Sequence, residues 1–113
     1  MLIIDNNFYA WYADEKITMY RDECGAELKW TLPIADTKDI FKAMLTSLGD
    51  ALAADMPFQE FAEHYGYTDE TAMMDRFAQA REWRKKWMRI VSDPNELMDF
   101  IPLLEERMHE NYQ

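Results

Sequence analysis

Cysteine is almost missing from this chain, and Cys24 is the only one. No internal disulfide can form, which excludes a small oxidised scaffold and makes a reducing cytoplasm the expected compartment. No apolar run approaches the ~20 residues that a membrane-spanning helix needs, so no membrane association is expected. The first stretch, MLIIDNNFYAWYADE, lacks a basic region and has only three consecutive apolar residues after Met1. It is therefore read as part of the fold and not as a signal peptide. There is no internal repeat and no low-complexity tract. The sequence also holds no G-x-S-x-G, no phosphate loop, no HExxH and no Cys-His pattern at recognisable spacing. Without any of these, no catalytic residue, metal ligand or cofactor is assigned, and binding is the expected mode of action.

What is present is apolar, aromatic and acidic. Among the 113 residues, 49% are hydrophobic and 14% aromatic, far above a disordered composition and enough for one core. One domain, 1–113, is expected. The 22 acidic residues outnumber the 12 basic ones, giving a net charge of −10. Such a charge opposes non-specific binding to nucleic acid or anionic membrane and favours docking onto a basic surface.

Periodicity divides the chain into a β-rich part, 1–33, and a helical part, 37–112. LIID, FYAWY and ITMY are β-prone runs, and they are separated by the turn residues Asn6-Asn7 and Asp14-Glu15. Arg21 to Gly25 reads as a loop, with Cys24 in it. ELKWTL (27–32) then alternates polar and apolar, which puts Leu28, Trp30 and Leu32 on the core face before Pro33 closes the strand. These runs predict an antiparallel meander of three to four strands.

From Asp36 or Thr37, either of which can cap a helix, the period becomes helical. Ile40, Phe41, Met44, Leu45, Leu48 and Leu52 define an amphipathic helix over 38–53, with Gly49 an unfavourable interior residue. Asp55 is expected to cap a second helix that buries Phe58, Phe61, Ala62 and Tyr65 and ends at Gly66. Thr68 is expected to cap a third, with Met73, Phe77, Ala80, Trp87 and Val91 on one stripe and Trp83 and Ile90 beside it. Asp93-Pro94-Asn95-Glu96 starts a fourth, which Pro102 should kink or split. Strands first and helices after predict an α+β fold, the meander packed by three to four C-terminal helices.

The series ITMY, DIFKAMLTSLGDALA and FQEFAEHYGYTDETA resembles a group of small phage and prophage proteins of undefined function. Asp50-Ala51, Phe58, Phe61, Tyr65, Gly66 and Tyr67 match the order of that group, over roughly residues 9 to 91. Ala62 departs from it, standing where many relatives carry cysteine. The segment between the third cap and Phe77 is also one residue shorter, and the helix after Asp93 is additional. The resemblance brings no catalytic residues. It implies a mobile-element protein acting inside a bacterial host cell, and by context an anti-defence inhibitor of the anti-CRISPR or anti-restriction kind.

Two charged constellations bear on such a role. From Asp50 to Asp75 there are seven acidic residues and no lysine or arginine. Glu60, Glu63, Asp69, Glu70 and Asp75 are the candidate contacts to a host protein, a CRISPR effector or other nucleic-acid-handling complex. Carboxylates at suitable spacing can occupy a site built for phosphates. The plainer reading is a solvated helical surface. Second, Arg76, Arg81, Arg84, Lys85, Lys86 and Arg89 fall within fourteen residues together with Trp83 and Trp87. Arg81, Arg84, Lys85 and Arg89 are the alternative, a nucleic-acid-binding stripe for an accessory protein of phage replication or regulation. The plainer reading pairs this stripe with acidic helices inside the molecule, with Glu82–Lys86 as one helix pair. His64 with Glu60 and His109 with Glu105 read as surface helix pairs and not as metal ligands. Among the nine methionines, Met74 and Met88 fall off the main stripe, available to a partner helix or a homodimer contact.

Overall fold

Alternating burial along the first third of the chain builds a sheet with one covered face. A computed structural model describes residues 2–5, 8–21, 25–66, 68–91 and 93–110. Its strands β1 (Leu2–Asp5), β2 (Phe8–Ala13), β3 (Lys16–Arg21) and β4 (Ala26–Thr31) form an antiparallel meander in the order β1-β2-β3-β4. Ile4, Phe8, Ala10, Ile17, Met19 and Leu28 point inward and are buried, while Trp30 and Leu32 are half-buried. On the outer face Ile3 and Trp11 stay exposed, beside a stacked Tyr9–Tyr20 pair with ring centroids 5.2 Å apart. Asn6-Asn7 and Cys24, read above as turn and loop residues, and Tyr67 lie outside the described residues.

Two local irregularities set the shape of this sheet. The β2–β3 turn has positive φ at both central residues, Asp14 (55°) and Glu15 (62°), the backbone twist that a two-residue hairpin requires. Between Ile3 and Asp5 the β1–β2 register shifts, which removes Ile4 from regular pairing. The Ile4 carbonyl is not wasted, because the Arg107 Nε–H donates to it at 3.0 Å and ties the last helix to the edge strand.

The four helices are α1 (Thr37–Ala53), α2 (Phe58–Tyr65), α3 (Glu70–Met88) and α4 (Glu96–Glu110). Together with the sheet they give the α+β architecture expected from the sequence. Asp36 caps α1 by accepting from the Asp39 N–H. Gly66 closes α2 at φ 66°, a left-handed conformation that glycine adopts without steric cost. Ile40, Phe41, Met44 and Leu48 of α1, Trp87 of α3, and Leu97, Phe100 and Leu104 of α4 close over the inner face of the sheet. Phe8 stacks on Phe100 at 4.5 Å, and the buried Trp87 indole donates to Ser47 Oγ at 3.1 Å. A smaller cluster, built on Ala53, Phe61, Met73 and Ala80, joins α2 to the middle of α3.

Two capping expectations and the possible split at Pro102 need correction. Asp55 does not cap α2. Pro57 occupies that position without any side-chain hydrogen bond, and Asp55 lies in the preceding turn. Asp69, one residue beyond Thr68, caps α3 by accepting from the Ala72 N–H at 3.2 Å. Pro102 does not split α4, which runs unbroken through it. Pro102 is exposed, so its ring is on the solvent side of the helix, where a missing N–H costs least.

Candidate functional site

The charged residues of α2 and α3 sort themselves into an acidic surface and a basic cleft. Glu60 and Glu63, three residues apart, share the outer face of α2, opposite the buried Phe61. Asp69 and Glu70 stand at the start of α3, and Asp75 follows on an exposed position of its second turn. All five are exposed. Asp69 has a structural duty as the α3 cap. The other four take part in no ion pair among the described residues.

Two further carboxylates from the same acidic stretch have cationic partners inside the chain, Asp50 buried and Asp55 still exposed. Asp50 is only 9% exposed, and its Oδ1 accepts from both the Tyr65 hydroxyl at 2.7 Å and Arg76 Nη2 at 2.9 Å. The Arg76 guanidinium also lies 3.8 Å from the centre of the Tyr65 ring. This triad joins the ends of α1 and α2 to α3. Burial, and then the hydrogen bond to Asp50, push the Tyr65 phenol up to about 12, because ionising it would set two anions side by side. Asp55 is the second, 3.6 Å from Arg84.

The basic segment has been drawn inward more than its spacing indicates. Arg84 Nη1 donates to the Ala51 carbonyl at 3.1 Å, closing the C-terminal end of α1. Lys85 pairs with Glu82 at 3.1 Å, so Glu82 is not the partner of Lys86. The Lys86 ammonium sits 4.9 Å from the centre of the Trp83 ring instead. Trp83 is half-buried and packs edge-on against Trp30 at 5.3 Å, and Trp87 is fully buried and so is not presented to a strand of nucleic acid.

Even so, Arg81, Arg84, Lys85 and Arg89 do converge. They line one open cleft of about 950 Å³ together with Met56, Pro57, Phe58, Phe77 and Met88. A second cleft of about 630 Å³ adjoins it, sharing Phe58, Phe77, Arg81 and Lys85 and adding Met74, which is 56% exposed. Sequence reasoning placed Phe58 and Phe77 in the core and gave Met56 no role. The cleft exists because the α1–α2 turn folds back beside the C-terminal half of α3, a tertiary relation with no periodic signature.

His64 and His109 are exposed, and His64 lies edge-on to Tyr65 at 4.8 Å. Among the described residues no three His, Cys, Asp or Glu side chains gather as a metal site would require. No helix among them is long and apolar enough to cross a membrane. Compared with protein-family models, curated proteins and solved structures, the chain has no match.

Proposed function

We propose that this protein is a non-catalytic inhibitor, of the kind carried by phages and other mobile elements, which binds a host nucleic-acid-handling defence protein through the acidic surface of α2 and the first turns of α3. One observation carries the reading. Glu60, Glu63, Glu70 and Asp75 are exposed without internal counter-charges, while three nearby cations are engaged elsewhere: Arg76 with Asp50, Arg84 with Ala51 and Asp55, and Lys85 with Glu82.

Carboxylates held on helices keep fixed spacing, and lysines or arginines that line a phosphate-binding channel respond to negative charge so arranged. The net charge of −10 would speed encounter with such a channel. Inhibition then follows from occupancy, whether the host target is a CRISPR effector or a restriction enzyme in the bacterial cytoplasm. The same distribution weighs against the basic segment as a nucleic-acid site, since Arg84 and Lys85 already have partners inside the chain.

The test replaces Glu60, Glu63, Glu70 and Asp75 by lysine and Asp69 by asparagine, which keeps a side-chain acceptor for the α3 cap. In bacteria whose CRISPR or restriction system blocks an incoming plasmid, the wild type should restore transformation and the folded variant should not. Equal restoration by both would reject the acidic surface.

A further inference from the structure

The cleft beside α3 combines an apolar floor with a basic rim. Met56, Phe58, Phe77 and Met88 form the floor, all only half-buried, with Arg81 and Arg89 exposed above them. Phe77, Arg81, Arg84 and Met88 recur at three- and four-residue spacing, so the groove follows one face of α3. From Phe77 to Arg89 it extends for roughly 18 Å at the helical rise. The adjoining cleft carries it on towards Met74.

We propose that this groove docks an acidic amphipathic helix from a partner protein. Charge complementarity selects the occupant: a floor that takes an apolar stripe is bordered by cations that meet the carboxylates flanking such a stripe. Methionines at positions 56 and 88 give the floor an adaptable surface for aliphatic side chains. A single nucleic-acid strand fits less well, because it needs open ring faces on which bases stack. Here the Phe58 and Phe77 rings meet edge to face at 5.6 Å, and Phe77 meets Phe61 in the same way at 5.0 Å, so the rings pack on one another. The groove uses residues separate from the acidic surface proposed above, so either proposal survives failure of the other.

The probe is a fluorescein-labelled synthetic peptide of about 14 residues, long enough to span the groove as a helix. Leucines follow helical spacing on one face and glutamates fill the other. Fluorescence anisotropy should show it binding the full chain at least about tenfold more tightly than a scrambled peptide of the same composition. Affinity should fall as salt rises. Arg81→Glu with Arg89→Glu, and separately Met88→Glu, should each weaken binding by about tenfold or more, with the circular dichroism of the wild type retained. Equal binding of the ordered and scrambled peptides would overturn the proposal. So would tighter binding of an oligothymidine of similar length, which would make the groove a nucleic-acid site.

Discussion

At the scale of single residues, the structure separates positions where the chain is under-optimised from positions where it is tied down. Gly49 lies in the interior of α1, and a Cβ built there meets nothing within 4 Å. Gly49→Ala should therefore stabilise the fold by about 0.5–1 kcal/mol, through helix propensity and a less disordered unfolded chain. A rise of a few degrees in the thermal midpoint would show it, and a fall would mean that the position is more crowded than its geometry indicates. Tyr65 is the opposite case. Its phenol is raised from the ordinary 10.0 to about 12, so the neutral form is the one that folding favours. The stability contributed is fully present below pH 10 and is lost as pH rises from 10 towards 12. Denaturant midpoints followed across that window should fall further for the wild type than for Tyr65→Phe, whereas parallel curves would remove the Asp50–Tyr65 link from the account.

At the scale of elements, helix α2 is the weakly held part. It has eight residues, one fully buried side chain and no side-chain N-cap, and helices that short are marginal without tertiary support. Its support is the small Phe61 cluster, the Gly66 cap and the Asp50–Tyr65–Arg76 triad. By contrast α1 runs seventeen residues and buries eight of them, chiefly against α3 and α4. Hydrogen exchange should consequently be faster in the α2 amides than in those of α1, by local opening that leaves the main core intact. Equal protection would show the two helices opening as one unit. Since α2 displays Glu60 and Glu63 and its entry forms one wall of the cleft, this local stability bears on both proposed surfaces.

The elements were largely legible in the sequence because each has a local cause. Alternation in 27–32 marked β4, and the four-residue spacing of Ile40, Met44 and Leu48 marked α1. Of the stripe read for α3, Met73, Ala80 and Trp87 are buried, while Phe77 is half-buried and Val91 lies beyond the helix; Gly66 marked the end of α2. The candidate site was legible only in part. The five candidate carboxylates are exposed, but Asp50, in the same acidic run, is buried by partners 15 and 26 residues away. Arg84 reaches a carbonyl 33 residues back in the chain. The choice of Lys85 over Lys86 by Glu82 reflects the position of Trp83, which is itself fixed by a tryptophan on β4. None of these relations has a period that a sequence can display.

At the scale of the whole molecule, charge is distributed unevenly between jobs. Arginines stitch the fold together: Arg21 bonds the Ile90 carbonyl and Glu96, Arg76 holds Asp50, Arg84 the end of α1, and Arg107 the edge strand. With these four arginines used inside, the excess of acidic residues, 22 against 12 basic ones, is left to the exterior. That is the physical basis for reading α2 and early α3 as a surface for a basic partner. The measurement that tests this most directly is capture from nuclease-treated bacterial lysate on the immobilised wild type and on the folded variant with lysine at positions 60, 63, 70 and 75, with duplex DNA as competitor. The account predicts that the wild type retains a nucleic-acid-handling protein, that DNA displaces it, and that the variant does not retain it. Retention of the same protein by the variant, or retention indifferent to DNA, would contradict the account.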